Sequence, residues 1–212
     1  MDVYQNLKEA LLEFDDEATA EWAQKLVAEG LDPVKGLQVI MDTLREVGDA
    51  FGRGDLWLPD LLSAAKAAQA AMPVLEEAIK SSGQEVKVLG TIVLGTVHGD
   101  LHSIGKSMVS VMLASQGFKV IDLGTNVSAD CFVEAIKDHR PEILAMSALL
   151  TTTATEQAKV IKALQEAGLR EQVKIMVGGG AITPEFAEGI GADGYGASAP
   201  EAVSLARQLI GL

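Results

Sequence analysis

The chain has 212 residues, 48% of them hydrophobic and 22% charged. That is enough for one large domain or two small ones that bury about 70% of the unfolded surface. The formal net charge is −13 and no Lys/Arg cluster appears, so a polyanion is repelled on average and finds no phosphate contacts, which argues against nucleic acid as a partner. Apolar runs are too short or too interrupted to span a bilayer, and no charged segment followed by an apolar one opens the chain. The expectation is therefore no membrane and, by default, a cytoplasmic address.

Residues 1–83 carry helix punctuation only. Apolar positions recur at helical spacing in Val3, Leu7, Leu11 and Phe14, and again in Trp22, Leu26 and Val27. Asp15 is placed to cap a second helix that Gly30 closes, and Asp32 a third, with Pro33 in its first turn. The third runs through "VKGLQVIMDTLREVGDAF" to the turn "GRGD", and a fourth begins near "WLPDLL" and continues through an alanine-rich run to Gly83. Four helices with short connections predict a small antiparallel four-helix bundle.

After "SSGQE" the pattern changes to short β-branched runs alternating with amphipathic stretches, as in βαβ units. Strands are predicted over residues 87–94, 119–123, 143–147, 174–177 and 193–195. Helices are predicted over 103–115, 129–139, 155–167, 184–188 and 200–210. This predicts an α/β fold: a helical cap domain over 1–83, then a flavodoxin-like (Rossmann-like), doubly wound parallel five-stranded sheet over 84–212. The single cysteine, Cys131, excludes an intramolecular disulfide and a Cys-based zinc site, and is expected in a helix as a small apolar residue.

In such a sheet ligands bind outside the carboxyl ends of the strands. There the first strand delivers "GTVHGDLHSIGK", the third "SALLTTT" and the fourth "GGG". Two of the three histidines, His98 and His102, lie in the first of these loops. A neutral imidazole coordinates a metal through one nitrogen while its other N–H donates to a carboxylate, and Asp100 is placed to be that partner of His102. One histidine cannot hold a bare ion, so a metal here has to arrive already chelated.

The spacing Asp100-x-His102-x-x-Gly105, then Ser147-x-Leu149, then Gly178-Gly179 resembles the base-off, histidine-on cobalamin fingerprint. In the first half, "VGDAFGRGDLWLPDLLSAA" is similar to the helical cap of corrinoid methyl-carrier proteins and of cobalamin-dependent methionine synthase. The resemblance covers essentially the whole chain. It implies a corrinoid protein of a multi-component methyltransferase system, with cobalamin as cofactor and methylcobalamin as its loaded state. Such a protein shuttles a methyl group on cobalt and is not a complete enzyme on its own. Its implied partners are a substrate-specific methyltransferase, a methyl-acceptor methyltransferase of tetrahydrofolate or coenzyme M type, and a reductive activase.

By that resemblance His102 is the lower axial cobalt ligand, Asp100 its hydrogen-bond partner and Thr153 the third relay hydroxyl. Gly99, Leu101, Ser103 and Ile104 complete the ligand loop. Ser147 and Thr151 meet the cofactor's nucleotide tail, Gly105 and Gly178, Gly179 and Gly180 leave room for it, Ala199 touches it, and Leu149 of the Ser147-x-Leu149 block is a further cofactor-binding residue. Trp57 and the weaker candidate Asp42 belong to a cap over the upper corrin face. His98 stands where lysine is common in the family, and Ser103 where a second Asp is often found.

Plainer readings stand beside these. Trp57 fits core packing between helices, Thr151 to Thr153 fit a helix cap, and His98 and His139 fit solvated positions. Two other functions share the sheet motif: the cobalamin subunit of an adenosylcobalamin-dependent mutase, which does not need residues 1–83, and a cobalamin sensor or storage module, for which no basic DNA-binding element is present.

Overall fold

The computed structural model describes residues 2–82 and 88–212. The chain divides into two units, Met1–Lys87 and Val88–Leu212. The predicted boundary at 83/84 and the predicted start of the first strand at residue 87 lie outside the described residues.

The first unit holds four helices: α1 (Val3–Leu12), α2 (Asp16–Ala28), α3 (Pro33–Arg53) and α4 (Leu58–Ser82). Asp15 and Asp32 cap α2 and α3 as expected, accepting from the Ala18 N–H at 2.9 Å and the Val34 N–H at 3.0 Å. Asp2 caps α1 in the same way. Leu7, Leu11, Leu26, Leu61 and Leu75 are fully buried. Gly36 sits inside α3 because a Cβ there would lie 2.7 Å from Leu26 Cδ1. The small residue lets two helices approach at the expense of helix propensity. Val27, read from spacing as part of the apolar face, is 36% exposed, and Ala23 takes the inward position.

The second unit is a five-stranded, wholly parallel sheet with strand order β2-β1-β3-β4-β5. Its strands are β1 (Thr91–Thr96), β2 (Lys119–Asp122), β3 (Ile143–Ser147), β4 (Lys174–Gly178) and β5 (Gly194–Gly196). The connecting helices are α5 (Ile104–Ser115), α6 (Ala129–His139), α7 (Thr151–Glu166) and α8 (Pro184–Gly189), and α9 (Ala199–Leu209) closes the chain. Side chains alternate across the pleat. Val93, Leu144 and Ile175 turn to the core under α6 and α7 with Phe132, Val160 and Ile161. Leu94, Ala145 and Met176 turn to the other face, toward Val109 of α5 and Ala202 of α9. Gly95 leaves room for the Phe132 ring, whose nearest atoms would be 2.8 Å from a Cβ on β1.

The strands and helices match the expected order, and α7 departs from its expected range. It begins at Thr151, four residues ahead of the predicted start, so Thr151 to Thr153 form its first turn. Its N-cap is Leu150, which has no side-chain cap bond, so these threonines do not serve as the helix cap. Cys131 lies in α6 but is exposed, not packed as a small apolar residue. Among the described residues no helix is long and apolar enough to cross a membrane.

Phe132 is fully buried and braced by Gly95. Phe132→Ala is expected to cost about 3–5 kcal/mol in urea denaturation, since neither the sheet nor α7 can collapse into the space. A loss below about 1 kcal/mol would show that the site relaxes freely.

Candidate cofactor-binding site

Strand register builds the site. Thr96 pairs with Ser147, Ser147 with Gly178, and Gly178 with Gly196, so four strand ends fall in one row and their loops open at one edge. The glycines make that convergence possible. A Cβ on Gly178 would lie 2.9 Å from the Gly196 carbonyl oxygen, and one on Gly179, whose φ is +124°, would collide with the Ala148 carbonyl. Gly180 is pressed similarly by Leu149 Cδ1 at 2.8 Å, whereas Gly105 faces nothing within 4 Å. Gly178 to Gly180 thus let neighbouring loops approach one another, and Gly105 is where absent side-chain bulk leaves open space.

Asp100, one residue past the Gly99 turn (φ +77°), is fully buried, and both carboxylate oxygens are satisfied. Oδ1 accepts from the His102 backbone N–H at 3.0 Å and lies 2.7 Å from His102 Nδ1. Oδ2 accepts from the Leu149 N–H at 2.8 Å and from the Thr153 hydroxyl at 2.7 Å. Burial pushes the carboxyl up, but the bonds from Thr153, His102 and Leu149 outweigh it and hold it well below the usual carboxylate range. An ionised carboxylate only accepts, so Nδ1 carries a proton, and in the neutral ring the lone pair then falls on Nε2. From below, the Thr96 hydroxyl donates to the His102 carbonyl at 3.0 Å. Main chain and ring of His102 are therefore both fixed, while its side chain stays 54% exposed.

Beside the imidazole a cleft of about 390 Å³ runs between α5, α9 and the ends of β3, β4 and β5. Of the predicted residues, His102, Gly105, Ser147, Leu149, Gly178, Gly179, Gly180 and Ala199 line it. Asp100 and Thr153 lie behind His102 as its support. Leu101 (73% exposed) and Ile104 (65%) stand out on the same loop, and with Leu149 and Leu150 they give the His102 edge an aliphatic surface that water does not favour. Ser103 is the N-cap residue of α5 without a cap bond, Thr151 is exposed, and His98 is exposed as anticipated. Trp57 and Asp42 belong to the helical unit. Trp57 is 77% exposed, which rules out the core-packing reading, and Asp42 pairs with Arg45 at 3.1 Å.

Sequence reasoning missed Thr96, Tyr195, Ser198 and Lys106. Thr96 is the last residue of β1, and Tyr195 and Ser198 line the cleft from β5 and its loop. Lys106 is 4% exposed in the first turn of α5 and paired with Asp122, an unusual place for a cation and a signal that was available.

Among the described residues no group of three or more His, Cys, Asp or Glu side chains could hold an ion. One imidazole with a free nitrogen, an aliphatic surround and an adjoining deep cleft fits a metal that brings its own equatorial ligands and a long appendage. His102 would hold the metal, and the cleft residues the appendage.

A B12-binding domain model matches residues 90–204, and a second B12-binding domain model matches residues 3–76. Trimethylamine corrinoid protein 1 of Methanosarcina acetivorans is 45% identical over 204 residues, covering 96% of this chain and 94% of that protein. A corrinoid protein of Desulfitobacterium hafniense is 40% identical over 213 residues, covering 100% and 99%. Among solved structures, the methanol:cobalamin methyltransferase complex of Methanosarcina barkeri matches with a TM-score of 0.87 and 28% identity, over 99% of this chain and 80% of the matched one. The monomethylamine corrinoid protein of Methanosarcina barkeri matches at 0.54 and 29%, over 98% of each. With both halves matched by B12-binding models and close relatives spanning nearly its whole length, the chain belongs to the corrinoid proteins and takes a cobalamin-type cofactor.

Proposed function

We propose that the chain is a methyl carrier that binds cobalamin with the cofactor's own base displaced and His102 Nε2 in its place. In this reading it presents the cofactor in turn to a substrate-specific methyltransferase and to an acceptor methyltransferase of tetrahydrofolate or coenzyme M type, with a reductive activase restoring it. The observation that carries the reading is the His102 ring, held through Nδ1 by a buried carboxylate at 2.7 Å with Nε2 left bare beside the cleft. When bound, the cofactor's cobalt supplies the centre that accepts and gives up the methyl group. Relatives named for trimethylamine, at 45–46% identity over more than nine-tenths of this chain, support a methylamine as the methyl source.

Each residue has a stated part. Asp100 fixes the imidazole tautomer and raises its basicity as a ligand. Thr153 and the Leu149 N–H keep Asp100 anionic by donating to Oδ2, and Thr96 stops the His102 main chain from lifting. Leu101, Ile104 and Leu149 exclude water around the ring. The walls formed by Leu94, Val109, Ala145 and Met176, with Ser147 at the rim, receive the displaced tail. In the helical unit Trp57 is assigned to the cofactor, supported by an exposure that core packing does not explain, and Asp42 is assigned more weakly because Arg45 and Gln38 already engage it.

Three outcomes test this reading. Loaded with cobalamin, the parent is expected to take up labelled methyl from trimethylamine when a trimethylamine methyltransferase is supplied, and His102→Ala to lose at least about tenfold in cobalamin affinity. Unchanged uptake by the variant, or radical chemistry with adenosylcobalamin, would contradict it. Asp100→Asn in the cofactor-free protein is expected to cost about 3 kcal/mol by urea denaturation near neutral pH, because an amide NH2 would face buried donors. The native carboxyl lies below its unfolded value, so its contribution is full above about pH 4 and fades as pH falls through the native value. The gap between parent and variant therefore narrows in acid, and an equal gap at about pH 7 and about pH 3 would refute the assignment. Trp57→Ala is expected to speed light-induced bleaching of bound methylcobalamin, and equal rates would remove Trp57 from the cofactor.

A further inference from the structure

Asp100 and Thr96 hold the His102 end of the ligand loop, and a different residue holds its start. Asn126, in the connection between β2 and α6, takes the Gly99 N–H on its side-chain Oδ1 at 2.8 Å. Its own backbone N–H donates to the Asp100 carbonyl at 3.0 Å. The two bonds bracket Gly99 and Asp100, so they oppose rotation of the segment that carries the imidazole. Asn126 is itself held on both sides through Thr96: the Thr96 N–H donates to the Gly124 carbonyl at 3.0 Å, and the Val127 N–H donates to the Thr96 carbonyl at 2.9 Å. Gly124 in turn donates its N–H to Asp122 Oδ1 at 2.8 Å, and Asp122 pairs with Lys106 of α5.

Backbone conformation supports a special role. Asn126 has φ +56°, and the other non-glycine residues at positive φ among those described are Phe14 and Arg140. Those two lie at the ends of α1 and α6, where a left-handed residue closes a helix. Asn126 follows a strand and closes none, so the strained conformation is kept for what the residue bonds. Asparagine tolerates this region better than most residues, and with its peptide turned this way the side-chain oxygen and the backbone N–H point at the same loop.

We propose that Asn126 is a positioning residue for the cofactor ligand: its paired bonds to Gly99 and Asp100 set the seat of the loop on which His102 is carried. The inference rests on His102 being the cobalt ligand. Asn126 acts only through the loop and touches no reacting atom. One hydrogen bond of this kind shifts the balance between seated and released loop by about fivefold.

Three variants separate the possible causes. Asn126→Gly keeps the positive φ and loses the acceptor, Asn126→Asp keeps the acceptor and tolerates the φ, and Asn126→Ala loses both. Amide exchange in the cofactor-free protein reads the seat directly. In Asn126→Gly the Gly99 N–H is expected to exchange about fivefold faster, Val93 and Leu144 to stay at parent rates, and Asn126→Asp to restore Gly99 protection. Each protein is then loaded with cob(II)alamin, and the nitrogen splitting of its paramagnetic resonance spectrum gives the fraction with imidazole on cobalt. That fraction is expected to fall in Asn126→Gly and Asn126→Ala and to recover in Asn126→Asp. Unchanged Gly99 exchange in Asn126→Gly, or an equal loss in all three variants, overturns the proposal. A parent spectrum without imidazole splitting would sink the ligand assignment instead, and Gly99 exchange would still decide whether Asn126 holds the loop.

Discussion

A carboxylate buried out of water is unstable unless its oxygens are filled, and Asp100 meets that condition with donors from the segments that follow β1 and β3. The same condition organises the site. Because Leu149 and Thr153 lie beyond β3 while His102 lies beyond β1, the carboxylate ties two adjacent strand ends together. Because it is an anion, it orients the ring by accepting from Nδ1, so that in the neutral imidazole the lone pair falls on Nε2. Satisfying a buried charge and preparing a metal ligand are here one arrangement.

The sheet provides what this interaction needs. Parallel strands in matching register bring Thr96, Ser147, Gly178 and Gly196 into one row, so the loops leave at a common height. Close backbone approach of Gly179 to Ala148 and of Gly178 to Gly196 then draws the ends of β3, β4 and β5 together, and the cleft that these glycines line reaches residues of α5 and α9. Leu101 and Ile104 remain exposed in numbers that a solvated loop has no use for, which agrees with a broad apolar ligand lying over the imidazole.

Much of this was legible in the sequence because the signals were local or periodic. Asp15 and Asp32 announced helix starts through side-chain chemistry acting within three residues. The β-branched runs fixed the alternation of strands and helices, and hence the edge on which the His, Ser/Thr and Gly loops gather. The misreadings depend on partners far apart in the chain. Spacing alone placed Val27 inward, but the packing surface of α2 is centred on Ala23 and Leu26. Spacing starts α7 at residue 155 and leaves Thr153 in a loop, whereas Thr153 lies in the first turn of the helix and its hydroxyl reaches from there to Asp100, 53 residues away. Thr96 and Asn126 carry no local mark of their use, since each acts on the ligand loop through a hydrogen bond to the residues that follow β1. Trp57 shows the converse, because nothing in its neighbours revealed whether an aromatic residue at the head of α4 would be packed or exposed.

The ring state of His102 in the cofactor-free protein is the most direct check on this account, because it measures the Asp100 interaction with nothing bound. Nitrogen-15 resonance of labelled histidine, recorded at about pH 9 where an ordinary imidazole is neutral, distinguishes the two tautomers. A single His102 species protonated on Nδ1, with Nε2 bare, is the predicted result. A ring protonated on Nε2, or one exchanging between both tautomers, would mean that Asp100 does not set the ligand.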